Sequence, residues 1–299
     1  MDTDCRPILR DEITAWLPRR ATDCHKGDFG SVGILGGAPG MVGAVLLAGR
    51  AALLLGAGRV YCGLLDERIA VDFANPELML AAPDRLPALA PPGCLVAGPG
   101  LGQSAAARGW LEAALATTLP LLLDADALNL ITTDRTLADT LRARPAPSLL
   151  TPHPGEAGRL LGLDAAAIQA DRPAAVRGLA ESYRCGVVLK GAGSLVHSPD
   201  GPVWRNDTGH PGMAAPGMGD VLSGMIAALI AQGMAPERAA VFGVHLHGAA
   251  GDRATRDGIG PLGLTAGEVA LAGRRLLNEW LYGLSSEAAL QGPQKRPLM

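Results

Sequence analysis

Ser31-Val32-Gly33-Ile34-Leu35-Gly36-Gly37-Ala38-Pro39-Gly40-Met41 is the stretch that decides the fold. Val32 to Leu35 is a short apolar run, Gly36 to Gly40 a glycine turn, and Met41 to Leu55 a helical stretch. The local grammar is strand, turn, helix, and it recurs. Arg59 to Leu64 predicts a second strand. Cys94 to Ala97 predicts a third, running into Gly98-Pro99-Gly100-Leu101-Gly102 and a helix over about 104–116. Pro120 to Leu123 ends in Asp124. Ser148 to Leu150 ends in Thr151-Pro152-His153-Pro154-Gly155-Glu156, ahead of helices over about 155–162 and 166–183. Gly186 to Leu189 ends at Lys190. Strands alternating with helices predict an α/β fold, a mainly parallel central sheet covered on both faces.

Leu195-Val196-His197 and Val203-Trp204-Arg205 flank Ser198-Pro199-Asp200-Gly201-Pro202, which predicts a hairpin before helices over about 219–232, 237–255 and 265–280. In front, Ile8, Ile13, Trp16 and Leu17 predict a leading helix. No repeat and no long Pro/Gly/Ser linker divides the body. Residues 1–284 are expected to form one domain, and 285–299 a flexible tail.

Composition narrows the function. Of 299 residues, 48% are hydrophobic and 18% charged, which excludes a disordered chain. Arg50, Arg59, Asp220 and Glu237 interrupt the apolar stretches before any reaches the ~20 residues that cross a bilayer, so no membrane association is expected. The polar start Met1-Asp2-Thr3-Asp4-Cys5-Arg6 is no export signal, and the protein is expected in the cytoplasm. Cys5, Cys24, Cys62, Cys94 and Cys185 are scattered singly and read as reduced thiols. A net charge of -3 argues against nucleic acid as a partner. Forty glycines against four Trp, three Tyr and three Phe favour turns where main-chain amides approach a ligand over surfaces that stack bases. The lysines are Lys26, Lys190 and Lys295, so the two outside the tail stand out as point charges.

Ligands of an open parallel sheet sit beyond the carboxyl ends of its strands. The strongest segment there is Gly209-His210-Pro211-Gly212-Met213-Ala214-Ala215-Pro216-Gly217-Met218-Gly219-Asp220, directly ahead of the apolar run Val221 to Ala231. Gly217 and Gly219 at a helix mouth leave amide N–H groups facing outward with the positive end of the helix dipole. Asp220 belongs to the first turn, where it reads either as the N-cap of the helix or as a base beside an anion site. Lys190-Gly191-Ala192-Gly193-Ser194 lacks the Walker A order and reads either as a tight turn or as a phosphate-receiving loop with Lys190 as its charge. Prolines 152 and 154 stiffen the loop that carries His153 and Glu156. His153 could hydrogen-bond a substrate and Glu156 could position water on Mg²⁺, or Gly155 and Glu156 simply begin a helix. Asp124 and Asp126 could serve a metal or cap a short helix over about 127–130. His245 and His247, two apart on a helix, are poor joint metal ligands.

Together these segments resemble the ADP/ATP-dependent NAD(P)H-hydrate dehydratases, a carbohydrate-kinase-like family that repairs hydrated nicotinamide cofactors. The likeness runs from His25-Lys26-Gly27 through Gly36-Gly37, Gly43-Ala44, Pro76-Glu77-Leu78-Met79, Gly98 to Gly102, Asp124 to Asn129, Thr151 to Glu156, Lys190-Gly191 and Gly217 to Asp220 to His247-Gly248. It implies a ribokinase-like three-layer αβα sandwich. Ala44, Gly102, His153 and Asp220 are then expected to line the hydrated dinucleotide, and Lys190, Gly191, Ala192, Gly193, Ser194, Gly217 and Gly219 to hold the adenine nucleotide. Similar enzymes place a divalent ion through an Asn-x-x-Glu loop. His153-Pro154-Gly155-Glu156 occupies that place with His for Asn, so Glu156 is the candidate Mg²⁺ residue, acting through water. The family's Ala-Thr-Gly-Gly-Thr-Gly-Asp run reads here Ala214-Ala215-Pro216-Gly217-Met218-Gly219-Asp220, without the two Thr hydroxyls. Many relatives also carry an N-terminal epimerase domain, which 25 residues cannot encode, so a monofunctional chain is expected.

The implied reaction dehydrates the S-form of hydrated NADH or NADPH, with ADP or ATP as co-substrate, catalysed by Asp220. The implied assembly is a homo-oligomer, a tetramer. The alternatives are a small-molecule kinase of the same fold acting on a thiamine precursor, and a non-catalytic nucleotide-binding module.

Overall fold

Residues 5–86 and 93–284 are described by the computed structural model, so the expected tail at 285–299 lies outside the described residues. The strands are β1 (Cys5–Pro7), β2 (Ser31–Gly36), β3 (Arg59–Leu64), β4 (Met79–Ala81), β5 (Cys94–Ala97), β6 (Leu121–Leu123), β7 (Ser148–Leu150), β8 (Gly186–Leu189), β9 (Leu195–His197) and β10 (Val203–Arg205). The helices are α1 (Arg10–Thr14), α2 (Val42–Leu54), α3 (Ala105–Leu115), α4 (Asp126–Thr133), α5 (Arg135–Ala143), α6 (Pro154–Leu161), α7 (Ala165–Ala170), α8 (Arg172–Tyr183), α9 (Met218–Ala231), α10 (Pro236–Arg256) and α11 (Ala266–Tyr282).

The strands form one sheet in the order β1-β10-β9-β8-β7-β6-β5-β2-β3-β4. Every pairing is parallel except those of β9 with β8 and β10, the expected hairpin region. Period-2 alternation sends consecutive side chains to opposite faces. Val32, Ile34, Val60, Cys62, Val96, Leu122 and Val188 join one buried cluster with residues of α2, α9, α10 and α11. Leu35, Tyr61, Leu95, Ala97, Leu121, Leu123, Val187 and Leu189 join a second cluster with residues of α3, α4, α5, α6 and α8. Two apolar faces, each covered by helices, make the three-layer αβα arrangement that the alternating pattern predicts.

Several elements depart from expectation. The leading helix is short, Arg10–Thr14, and Trp16 and Leu17 pack from beyond its end. The stretch read as one helix over 166–183 is two, because Pro173 cannot continue a helix through its own position and Asp171 caps the second, its Oδ1 accepting from Ala174 N at 2.9 Å. Sequence reading omitted α5, capped by Asp134, and the short strands β1 and β4. Strand β1 pairs with β10, far along the chain, and the Arg6 guanidinium lies 4.3 Å above the Trp204 ring.

Helix α9 determines where the site lies. It is buried at Met218 and from Val221 through Ala231, as expected of a helix apolar on all sides. It can lie that close to α2 because Gly224 has no side chain; a Cβ there would overlap the Ala48 carbonyl. Gly224→Ala is expected to cost about 1–3 kcal/mol of stability through overpacking. Urea denaturation measures it, and an unchanged midpoint would show the α2–α9 contact to be loose. Among the described residues no helix is long and apolar enough to cross a membrane, and Cys24, Cys62, Cys94 and Cys185 are free thiols.

Candidate active site

The strand order reverses between β5 and β2, the switch point beside which open parallel sheets bind their ligands. The loops that leave these two strands lie side by side: Gly37 N donates to Pro99 O at 3.1 Å and Ala38 N to Gly100 O at 2.7 Å. Ala44 stands in the first turn of α2 on one side. Gly102 stands on the other, its N–H donating to Asp126 Oδ2 at 2.8 Å. Two of the expected substrate-lining residues therefore flank the switch point. Asp126 caps nothing through its side chain; its Oδ2 ties the Gly102 loop to the start of α4 instead.

Asp220 is not an N-cap. The cap position is Gly217, whose φ of 85° is the left-handed conformation that favours glycine; a Cβ there would also stand 2.5 Å from Leu47 Cδ1. The first helical bond of α9 is closed by Val221 N to Gly217 O at 3.0 Å. The N–H groups of Met218, Gly219 and Asp220 have no protein acceptor among the described residues, which makes the expected anion hole. The Asp220 carboxylate receives no hydrogen bond from the described residues. Burial and the neighbouring Asp124 charge, with a smaller push from Asp126, outweigh the attraction of Lys190 and raise its pKa to about 7. A half-buried, unpaired carboxylate with a near-neutral pKa next to bare amides is the most distinctive chemistry in the molecule.

Lys190, at the end of β8, meets a partner that sequence reading did not assign. Its Nζ lies 2.7 Å from Asp124 Oδ1 and 3.9 Å from Glu156 Oε2. Burial pulls the ammonium pKa down, but Asp124, Glu156 and Asp220 together hold it above its ordinary value. Asp124 is fully buried, which raises its pKa, yet Lys190, the Ser223 hydroxyl and the Thr151 hydroxyl bring it below the usual carboxylate range. A Cβ on Gly219 would sit 3.2 Å from Lys190 Nζ, so the ammonium abuts the first turn of α9. The rest of the expected nucleotide loop is a tight turn. Ser194 Oγ donates to Gly191 O at 2.8 Å, and Arg172 Nη2 donates to Leu189 O at 3.1 Å and to the carbonyls of Lys190 and Gly193 at 3.4 Å. Ala192 and Gly191 are exposed.

His153 and Glu156 act first as helix-ends. His153 Nδ1 accepts from Gly155 N at 3.0 Å, and Glu156 Oε2 accepts from His153 N at 2.8 Å, a capping box at the start of α6. Burial and the Lys190 charge lower the His153 pKa, so the ring is neutral, with Nδ1 as acceptor and Nε2 carrying the hydrogen. The ring is half-exposed, and Nε2 is 3.4 Å from Glu156 Oε1. Burial raises the Glu156 pKa against the pull of Lys190. Among the described residues no three His, Cys, Asp or Glu side chains converge as a ligand set.

The structure thus brings Asp220, Gly219, Lys190, Glu156 and His153 around one centre, with Ala44 and Gly102 at the switch point beside it. Sequence reading missed Ser223, whose Oγ donates to Asp124 Oδ2 at 2.8 Å, and Arg172. A hydroxyl inside the apolar run Val221 to Ala231 was the available signal for Ser223; nothing in the sequence marked Arg172.

Comparison with known proteins gives one answer. A family model described as NAD(P)H-hydrate dehydratase matches residues 32–267. The ADP-dependent (S)-NAD(P)H-hydrate dehydratase of Neisseria meningitidis serogroup B is 46% identical over 265 residues, 87% of this chain and 88% of that protein. The bifunctional NAD(P)H-hydrate repair enzyme of Coxiella burnetii is 42% identical over 92% of this chain and 56% of its own length, so the chain spans about half of that longer relative. A crystal structure of the ADP/ATP-dependent NAD(P)H-hydrate dehydratase from Bacillus subtilis, co-crystallised with ATP and Mg²⁺, has a TM-score of 0.82 at 29% identity and covers 93% of this chain and 99% of that one.

Proposed function

The chain belongs to the NAD(P)H-hydrate dehydratase family, and from that premise we propose that it dehydrates the S-form of hydrated NADH or NADPH, consuming ADP and releasing AMP and phosphate. The observation that carries the reading is the Asp220 carboxylate: unpaired, with its pKa raised to about 7, and in the same helical turn as the unclaimed amides.

The hydrated ring carries a hydroxyl on C6, and hydroxide is a poor leaving group at neutral pH. Asp220 accepts the proton of that hydroxyl as its oxygen attacks the terminal phosphorus of ADP, breaking the bond to the bridging oxygen and freeing AMP. The amides at the start of α9 and the Lys190 ammonium hold the charge that builds on the phosphoryl oxygens. The phosphorylated hydroxyl then leaves as phosphate, driven by the lone pair of the ring nitrogen, and loss of a ring proton restores the dihydronicotinamide. Ala44, Gly102 and His153 line the dinucleotide in this reading, His153 through its Nε2 hydrogen. Lys190 to Ser194, Gly217 and Gly219 receive the nucleotide.

The residues fit a Mg²⁺ ion carried by nucleotide phosphates and water, since Mg²⁺ keeps several waters and takes one or two carboxylates. Glu156, with Oε2 already accepting from His153 N, would act on it through a water. When bound, the ion neutralises phosphate charge.

The same proposal takes residues 1–284 as one domain, supported by the single sheet that joins β1 to β10. It also places the chain in the cytoplasm as a homotetramer. Light scattering measures the mass of that assembly.

The test is incubation with hydrated NADPH and Mg²⁺, with ADP, ATP or neither. Recovery of absorbance at 340 nm with ADP, with one phosphate and one AMP per cofactor, is expected. A stable phosphorylated product would instead identify a kinase, and binding of ADP without its consumption a sensing module.

A further inference from the structure

Asp124 lies at the centre of the site; the mechanism above gives it no part, and the sequence reading weighed it only as a metal ligand or a helix cap. It is 1% exposed and held from three sides: Oδ1 accepts from Lys190 Nζ at 2.7 Å and Ala125 N at 2.9 Å, and Oδ2 accepts from Ser223 Oγ at 2.8 Å. It therefore ties the end of β6 to the end of β8 and to the second turn of α9. A Cβ on Gly219 would meet Lys190 Nζ at 3.2 Å and Asp124 Oδ2 at 3.7 Å, so the pair is seated directly beneath the first turn of the helix that bears Asp220. Lys190 makes ion pairs with Asp124 and Glu156 and none with Asp220, although the two sense each other's charge.

We infer that Asp124 is a positioning residue: with Ser223 locking it in place, its carboxylate holds the Lys190 ammonium at the mouth of α9 and keeps it from pairing with Asp220, which stays free to take a proton. The inference rests on the proposed role of Asp220. The physical reason is competition for one cation between two carboxylates. A lysine ammonium has three donors on a flexible stem, and unheld it turns to the nearest unpaired anion. An Asp220–Lys190 pair would make Asp220 a weaker base while leaving the ammonium at the helix mouth. The charged groups acting on Asp220 are Asp124 at the end of β6, Asp126 in α4 and Lys190 at the end of β8. Glu156 shares Lys190 from α6, and His153 and His247 feel it without pairing to it.

The arrangement makes a prediction that a purely structural pair does not. Asp124→Asn keeps the shape but removes a negative charge close to where phosphates bind. ADP is then expected to bind as tightly as to the unaltered protein or more tightly, while turnover of hydrated NADPH falls at least about tenfold. Calorimetry with ADP and steady-state rates read the two quantities. In the ligand-free protein, a ¹³C carboxyl NMR titration of Asp220 is expected to move its midpoint from about 7 in the unaltered protein down by more than about one pH unit in Asp124→Asn. Ser223→Ala, which loosens Asp124 without removing its charge, is the fold-preserving companion, with shifts of the same sign and smaller size. ADP affinity that drops in parallel with turnover, or an Asp220 midpoint unmoved in both variants, would overturn the inference. Because the titration and ADP binding involve no turnover, they stand even where the unaltered enzyme fails to process hydrated cofactor, an outcome that would sink the proposed function alone.

Discussion

Asp220→Asn is expected to lower turnover by ~10²–10⁴ and, at the same time, to make the protein more stable above neutral pH. The two effects share one cause. The folded protein raises the Asp220 pKa from 3.8 to about 7, mainly by burial and the Asp124 charge. Between those values the folded state keeps a proton that the unfolded chain has released, so stability falls as pH rises through the window and the penalty is complete above about 7. Asparagine carries no such penalty. Allowing for the side chain's partial exposure to solvent, the variant is expected to gain about 1–3 kcal/mol at pH 8 relative to the unaltered protein and little at pH 4. Urea midpoints at the two pH values measure the difference. A variant less stable at pH 8 would mean that the carboxylate is comfortable where it sits, which contradicts its use as a base.

Lys190→Met has the opposite sign for stability. Methionine fills the space of the aliphatic stem but leaves Asp124, which is 1% exposed, without its cation. Breaking a buried pair by removing one partner costs about 3–5 kcal/mol, since the remaining charge is desolvated and uncompensated. The loss is expected to shrink as pH falls. In the unaltered protein the Asp124 pKa lies below its ordinary value, so that carboxylate contributes stability above the unfolded pKa and loses it as pH falls. Without Lys190, burial raises the same carboxyl, and protonation relieves the variant. ADP affinity falls as well, because the cation at the helix mouth is gone. Urea denaturation of the unaltered protein and the variant between pH 5 and 8 separates this account from simple loss of packing, which predicts a cost independent of pH.

How far the sequence carried the argument depended on how local each signal was. Strands β3, β5, β7, β8, β9 and β10 have the bounds that their short apolar runs predict, because Gly, Pro, Ser or Lys flanks each of them. The glycine turns after β2 and β5 were legible for the same reason, and so was the first turn of α9 as the place of Asp220. The choice between cap and base was not legible, since Asp suits both and only the left-handed Gly217 shows that the cap position lies elsewhere. His153 was read as a substrate contact, but its Nδ1 is spent on the N-terminus of α6, which leaves Nε2 alone for any ligand. The Asp124–Lys190 pair spans 66 residues and had no local signature, apart from two charged residues placed at the ends of buried strands. The β1–β10 pairing and the Arg172 clamp on the 189–193 carbonyls depend on tertiary contacts that no window of sequence contains.

The pH dependence of kcat/KM for hydrated NADPH at saturating ADP and Mg²⁺ is the most direct measurement of Asp220 acting as base. A rate that climbs tenfold per pH unit on the acid side and levels near pH 7, with that limb missing from the residual activity of Asp220→Asn, is the expected result. A limb that levels near pH 4, or one that persists unchanged in the variant, would contradict it.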